Sequence, residues 1–251
     1  MKRKIVLVLL VAASITSNRT EAQIKNIVLV HGAFADGSGW QKVYTILKSR
    51  GYNVSIVGNP NTGVEDDVAA TIRVLDRQKG PVILVGHSYG GAIITIAGNS
   101  PNVAGLVYVA AFAPDEGESL GQLLAPYPAD PLNGILSPVN GFVWYDSTKY
   151  HKGFCADLNA KEAAFMYASQ VPVSASAFTY IYKEIAWKKK PSWHIIATED
   201  HSLTTDLQRF MAKRAGGKIS EIKGSHVIFI SHPEEVANII EAAAKATKPS
   251  N

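Results

Sequence analysis

A serine stands at the centre of the segment of this chain that is best suited to chemistry, Gly86-His-Ser-Tyr-Gly90. An apolar run precedes it at residues 82–85, and a helix-compatible segment follows at residues 92–97. A sharp strand-to-helix turn with glycines on both sides lifts a serine hydroxyl clear of the backbone, where it can attack a carbonyl carbon. The N-terminus of the helix then lies beneath the oxygen that becomes negative. The pattern therefore predicts Ser88 as a catalytic nucleophile.

A serine nucleophile needs a histidine base and a carboxylate that orients the base. After a turn of this kind the chain order is serine, acid, histidine. Of the seven histidines, His226 lies in the loop between the last predicted strand and the last predicted helix, where the base is expected. The acid is expected just after the strand at residues 193–197, where both Glu199 and Asp200 qualify. Asp200 is favoured because the loop turns there toward the carboxyl edge of the sheet.

Two N–H groups are needed to stabilise the negative oxygen of an ester transition state. One is the backbone amide of Tyr89, the residue after the nucleophile. The other is expected from the loop after the first core strand, where Ala33 is the better donor. Phe34, Trp40 and Trp144 are expected to add apolar walls to the substrate pocket.

These side chains need a scaffold, and from residue 26 onward short apolar runs alternate with helical patterns. The runs predict strands at residues 27–30, 54–57, 82–85, 106–110, 193–197 and 218–222. The helical patterns predict helices at residues 39–49, 64–78, 206–215 and 231–246, the last opening with a Ser231-His-Pro-Glu234 capping box. Strands joined by crossover helices form a parallel sheet covered on both faces. The predicted fold class is therefore α/β, with a mostly parallel, doubly wound sheet.

Residues 114–191 interrupt this alternation and are too long for one crossover. They are rich in proline, glycine and aromatic residues. We expect a small inserted cap, partly helical at residues 160–169 and 175–186. Most of its aromatic side chains should form the cap's own core, and a minority should face the nucleophile.

The first 22 residues resemble a secretory signal peptide. Lys2-Arg3-Lys4 is a positive segment, residues 5–13 are an apolar run too short to span a bilayer, and Ala22 is a small residue at the expected cleavage site. The expectation is a secreted or periplasmic protein that comprises residues 23–251 and keeps no stable membrane anchor after cleavage.

Composition narrows the function further. The chain has 251 residues and a formal charge of +4, of which residues 1–22 carry +3, so the remainder is close to neutral. There is no basic run long enough for nucleic-acid binding. Cys155 is the only cysteine, so no internal disulfide is possible.

Four segments also match a known pattern. They are Val28-Leu-Val-His-Gly-Ala-Phe34 with Trp40, Gly86-His-Ser-Tyr-Gly-Gly91, Ala197-Thr-Glu-Asp200 with Leu207-Gln-Arg-Phe210, and Gly224-Ser-His226. Through them the chain resembles the α/β-hydrolases of the branch that holds plant methyl esterases and hydroxynitrile lyases, over nearly all of residues 26–246, with the cap matching least. The resemblance implies that Asp200 is the triad acid and that Ala33 supplies an oxyanion amide. The hydroxynitrile lyases carry a lysine directly after the triad histidine. This chain has Val227 at that position, which argues against lyase activity. Val227 is also expected to line the substrate pocket.

The sequence therefore predicts a serine hydrolase that cleaves small carboxylic esters through a Ser-His-Asp triad and an acyl-enzyme. A small-molecule ester is the expected partner, and no metal or organic cofactor is implied. Two alternatives stay open: lactone hydrolysis or cofactor-free perhydrolysis at the same site, and a non-catalytic protein that binds small ligands and has kept the triad. The acyl and alcohol groups and the oligomeric state are not determined by the sequence.

Overall fold

The computed structural model describes residues 23–248, which contain eight strands. The strands are β1 Asn26–Val30, β2 Asn53–Val57, β3 Val82–His87, β4 Val103–Val109, β5 Phe142–Val143, β6 Val173–Ser174, β7 Ser192–Ala197 and β8 Lys218–Ile222. Six of them form one sheet in the order β2-β1-β3-β4-β7-β8, and neighbouring strands run parallel. Every residue of the four inner strands is buried, whereas the edge strands β2 and β8 are partly exposed. The predicted parallel α/β fold is confirmed.

Eight α-helices accompany the strands in the described residues. They are α1 Gln41–Ser49, α2 Val64–Leu75, α3 Tyr89–Ala97, α4 Leu120–Leu124, α5 Ala160–Ala168, α6 Thr205–Ala215, α7 Ile228–Ser231 and α8 Pro233–Ala246. Helix α1 packs against α8, and α2 packs against α3. These two pairs bury their apolar stripes against the sheet, which explains the near-continuous apolar sequence of its inner strands.

Several predicted helix boundaries were wrong, and two of these errors lie close to the site. Helix α3 begins at Tyr89, directly after Ser88, rather than at residue 92. Helix α8 begins at Pro233 without a side-chain cap. The Ser231 hydroxyl, expected in a capping box, instead donates a hydrogen bond to Asp157, 2.7 Å away. A tertiary contact has replaced the local one.

The segment between β4 and β7 holds α4, α5 and the short antiparallel pair β5–β6. It also contains a π-helical turn at Tyr150–Phe154 and 3-10 turns at Ala175–Phe178 and Ala186–Lys188. The predicted helix over residues 175–186 is present only as these 3-10 turns at its two ends, and residues 179–185 are not helical. Tyr182 there is extended, because its N–H donates to the Glu118 carbonyl and its carbonyl accepts from Gly117 N–H.

Within residues 23–248 no helix is long and apolar enough to cross a bilayer. The predicted signal peptide, residues 1–22, lies outside the described part of the chain.

Candidate active site

The turn between β3 and α3 holds Ser88 in a conformation that few residues adopt, with φ 53° and ψ −122°. A Cβ added to Gly86 would lie 2.5 Å from the Gly90 carbonyl oxygen, and one added to Gly90 would lie 2.7 Å from the His31 carbonyl oxygen. Any side chain at either position would therefore open the turn. Local backbone strain at Ser88 is the consequence of presenting its hydroxyl above the sheet.

Three side chains from three strand ends meet at this hydroxyl. His226 Nε2 lies 2.8 Å from Ser88 Oγ, and His226 Nδ1 lies 2.6 Å from Asp200 Oδ2. All three residues are buried. Since Nδ1–H donates to the carboxylate, Nε2 is free to accept the serine proton. The structure thus brings together the three predicted catalytic residues in the order that base catalysis requires.

Asp200 is held by more than the imidazole. Its Oδ1 accepts from the Ser202 and Leu203 N–H groups at 2.8 and 2.9 Å, and its Oδ2 accepts from Gln208 Nε2 at 2.8 Å. Glu199, the alternative acid, points outward, with its side chain 55% exposed and 3.4 Å from the Lys223 ammonium. The contact of Gln208 with Asp200 was not predicted from the sequence. It depends on the placement of α6, which brings Gln208 back to the carboxylate.

Two backbone amides lie free beside Ser88. Tyr89 is the first residue of α3, so its N–H has no partner inside the helix. The Ala33 N–H donates to no acceptor within residues 23–248, whereas the Phe34 N–H donates to the Val171 carbonyl at 2.9 Å. Tyr89 and Ala33 also line the cavity at Ser88. These are the two donors that the sequence predicts.

A second buried carboxylate, Asp67 on α2, lies behind these donors. Its Oδ2 accepts from the Tyr89 hydroxyl at 2.7 Å, and its Oδ1 accepts from the Asn61 N–H at 2.7 Å. Burial raises the pKa of Asp67 to about 6, although both hydrogen bonds oppose the shift. Burial also raises the pKa of the Tyr89 hydroxyl, and the Asp67 charge adds to this effect. The sequence places Asp67 in the first turn of a helix, where an exposed acid is the ordinary expectation.

His87, the residue before the nucleophile, forms a hydrogen bond with the backbone of His226. His87 is fully buried, and its Nε2 lies 3.0 Å from the His226 carbonyl oxygen, to which it donates. Its ring centroid is 4.8 Å from that of His226. Burial, reinforced by the neighbouring His226, holds the pKa of His87 well below its ordinary value. His87 therefore stays neutral and fixes the backbone of His226.

A small cavity lies at Ser88. Apart from the residues named above, its walls are apolar and come mainly from Phe34, Phe112, Leu120, Phe154, Val173 and Phe178. No lysine, arginine, aspartate or glutamate lines it. The cavity suits an uncharged ligand, since a charged group would be desolvated there without a partner.

Three of the four predicted pocket residues lie elsewhere. Trp40 is fully buried against Phe229, with ring centroids 4.3 Å apart. Trp144 is 43% exposed and lines a separate surface cleft of the cap. Val227 is fully buried and does not line the cavity. Only Phe34 faces the cavity as expected, because core packing and cap topology set the directions of the other side chains.

A second, more open groove lies next to the cavity. Leu124, Ile135 and Ser202 line both the cavity and this outer groove. Ile135 is 37% exposed and lies where the two spaces adjoin. The floor of the groove is formed in part by Tyr127 and Asn133.

Three comparisons place the chain among known proteins. A model of the alpha/beta hydrolase family matches residues 27–239. A pyrethroid hydrolase from Sphingobium wenxiniae is 26% identical and covers 89% of each chain, and a solved pyrethroid hydrolase superposes with a TM-score of 0.78 at 25% identity, covering 89% of this chain and 98% of the other. A carbendazim-hydrolysing esterase from a Nocardioides species is 33% identical over a shorter stretch, 39% of this chain and 47% of that enzyme.

The chain belongs to the alpha/beta hydrolase family. Plant methylesterases and a hydroxynitrile lyase are also among its relatives, so the resemblance drawn from the four sequence segments is confirmed. The relatives named as esterases and hydrolases confirm the predicted enzyme class, a carboxylic ester hydrolase.

Proposed function

We propose that this chain is a secreted or periplasmic serine esterase that cleaves small, uncharged carboxylic esters through an acyl-enzyme on Ser88. The observation that carries the proposal is the hydrogen-bonded chain from Ser88 through His226 to Asp200. The names of two relatives, a pyrethroid hydrolase and a carbendazim-hydrolysing esterase, support ester hydrolysis.

The reaction follows from the geometry. Ser88 Oγ attacks the ester carbonyl while His226 Nε2 takes its proton, and Asp200 stabilises the imidazolium that forms. The N–H groups of Tyr89 and Ala33 stabilise the oxyanion. His226 then returns the proton to the leaving alcohol, and an acyl group remains on Ser88. A water molecule, deprotonated by His226, cleaves this acyl-enzyme and restores the free serine.

The cavity wall supports a substrate class. Its apolar lining and lack of fixed charge favour neutral acyl groups of short chain length or with an aromatic ring. Long-chain triglycerides fit less well, because little free space lies between the cavity walls. We therefore expect short-chain or aromatic esters to be preferred over lipid substrates.

A hydrolysis screen tests the proposal. The exported protein should be assayed on p-nitrophenyl and methyl esters of graded acyl length, and turnover should be highest for short or aromatic acyl groups. A profile that peaks at long acyl chains, with activation at a lipid interface, would contradict the substrate proposal. Hydrolysis of lactones alone would favour the alternative reaction at the same site.

Export is proposed from the sequence of residues 1–22. The positive segment, the short apolar run and Ala22 predict a mature chain that starts at Gln23. The intact mass of protein recovered outside the cytoplasm measures this. A full-length product confined to the cytoplasm would refute export.

A further inference from the structure

The carboxylate of Asp157, a residue of the cap, accepts hydrogen bonds from the loop that contains His226. Asp157 Oδ2 accepts from the Ser225 N–H at 2.8 Å, and Asp157 Oδ1 accepts from the Ser225 hydroxyl at 2.5 Å. The Ser231 hydroxyl also donates to Oδ2, at 2.7 Å. Asp157 therefore binds both ends of the loop and short helix that contain His226, although 68 residues of sequence separate it from Ser225.

The same stretch of the cap also contacts the imidazole ring. The Phe154 ring centroid lies 5.0 Å from that of His226, and Phe154 lines the substrate cavity. Residues 154–157, which we term the cap clamp, thus hold His226 in two ways. Phe154 packs against the ring, and Asp157 fixes the residue that precedes it.

The core restrains the same loop at other points. His87 donates to the His226 carbonyl, and the Glu199 N–H donates to the Gly224 carbonyl at 3.0 Å. Ser225 lies between these two anchored residues, and both its N–H and its hydroxyl donate to Asp157. The acceptor for the N–H and hydroxyl of Ser225, the residue next to the base, therefore comes from the cap and not from the sheet.

We propose that Asp157 is a positioning residue for His226, so that the cap completes the catalytic base in addition to shaping the substrate cavity. The inference rests on the proposed esterase function. Ser88 and His226 must keep their hydrogen-bond distance for proton transfer, and a displacement of about 1 Å is enough to lower a rate by roughly 10²-fold. Loss of the Asp157 bonds frees Ser225 and with it the start of the His226 backbone.

Asp157 remains ionised while it does this. Burial alone would raise its pKa, but the hydrogen bonds from Ser225 and Ser231 outweigh burial and lower the pKa below its ordinary value. The carboxylate is therefore a permanent acceptor at neutral pH.

The test compares Asp157→Asn with Asp146→Asn, another aspartate of the cap. Asp146 is partly exposed, and its carboxylate accepts from the backbone N–H and the hydroxyl of Thr148, away from the loop of His226. With p-nitrophenyl acetate as substrate, Asp157→Asn should lower kcat by about 10- to 100-fold and change KM by less than about threefold. Asp146→Asn should leave both unchanged.

A second variant protects the test against a folding defect. Ser225→Ala removes one of the two Ser225 bonds and should lower kcat by a smaller factor than Asp157→Asn. In the double variant the two losses should be less than additive in free energy, because they remove the same interaction.

The outcomes separate the two proposals. A folded Asp157→Asn protein with normal kcat would overturn the positioning role, as would a rise in KM alone. A fall in Tm without a fall in kcat would show that the contact only stabilises the fold. A wild type that cleaves no ester would instead refute the proposed function.

Discussion

The carboxyl edge of the sheet and the cap face each other across the same cavity, but they are built by different means. At the edge, Ser88, Asp200 and His226 follow the ends of β3, β7 and β8, whose register the parallel hydrogen-bond ladder fixes. In the cap, ring packing such as Tyr145 against Phe154, with centroids 5.3 Å apart, positions the wall. Backbone register therefore positions the chemistry, and side-chain packing shapes the specificity.

The contrast predicts that substitutions at the edge abolish turnover and that those in the cap redirect it. The cap clamp is the expected exception, since there the cap acts on the base itself. We expect the largest effects at the edge and the smallest on the outer surface of the cap.

Ser88→Ala should lower kcat by on the order of 10⁶-fold without loss of folding, because the covalent step disappears. Ser202→Ala is the matched control. Ser202 lines the same cavity, but its hydroxyl donates to the Gly153 carbonyl at 2.8 Å rather than to His226. Its kcat should stay within about tenfold of the wild type. Substantial turnover by a folded Ser88→Ala protein would remove the nucleophile assignment.

Asp200→Asn should lower kcat by roughly 10³–10⁴-fold, since the asparagine would hold His226 in the wrong tautomer. Glu199→Gln, one residue away and exposed, should have little effect. Steady-state kinetics of both variants decide between the two acids. The opposite ranking would transfer the role to Glu199.

Asp67→Asn tests the oxyanion side of the same edge. The amide oxygen can accept from Tyr89 or from Asn61 but cannot serve both donors as the carboxylate does. Weaker support of the Tyr89 N–H should lower kcat by roughly tenfold. An unchanged kcat would show that α3 positions this amide without Asp67.

The same variant has a signature in the pH dependence of stability. The pKa of Asp67 is raised from 3.8 to about 6, so the folded state binds this proton more tightly than the unfolded chain. The stabilisation that Asp67 gives the folded state is fully present below about pH 4. It is lost as the pH rises through about 6, and the free energy of unfolding falls by at most about 3 kcal/mol. The free energy of unfolding should be measured with urea at about pH 4, 5, 6 and 7. The difference between the wild type and Asp67→Asn should show this decline.

Ile135→Trp tests whether substrates extend from the cavity into the groove. The larger ring should fill the space where the two adjoin, so KM should rise by roughly tenfold for esters with a long alkyl or aryl arm and stay the same for acetates. Val139→Trp, at a 62% exposed position that lines neither space, is the control. Equal losses for short and long esters would show that substrates do not extend into the groove.

Trp144→Ala should have the smallest effect. Its side chain is 43% exposed and lines only the outer cleft of the cap, so kcat/KM should change by less than about twofold. A changed chain-length profile would restore the sequence-based expectation that Trp144 faces the substrate, and would require a different arrangement of the cap.

Much of the edge could be predicted from the sequence. The loop that presents His226 follows from chain order, because each predicted catalytic residue comes within four residues of the end of a strand. The parallel fold fixes where those strand ends meet. One short motif and two loop positions therefore predicted the meeting of Ser88, Asp200 and His226.

The supporting residues could not be predicted in this way. Gln208, Asp67 and Asp157 contact partners that lie 8, 22 and 68 residues away in sequence. No local pattern records such contacts. The directions of Trp40 and Trp144 depend likewise on tertiary packing rather than on composition. Sequence periodicity predicts the elements, whereas the contacts between elements come from the assembled fold.

Covalent labelling tests the central claim most directly. The protein should be treated with a p-nitrophenyl dialkyl phosphate, and the modified peptide should be identified by mass spectrometry after digestion. One phosphoryl group per chain on Ser88, with release of one equivalent of p-nitrophenol and complete loss of esterase activity, is the predicted result. Modification of a different residue, or an active enzyme that resists labelling, would contradict the assignment of Ser88 as the nucleophile.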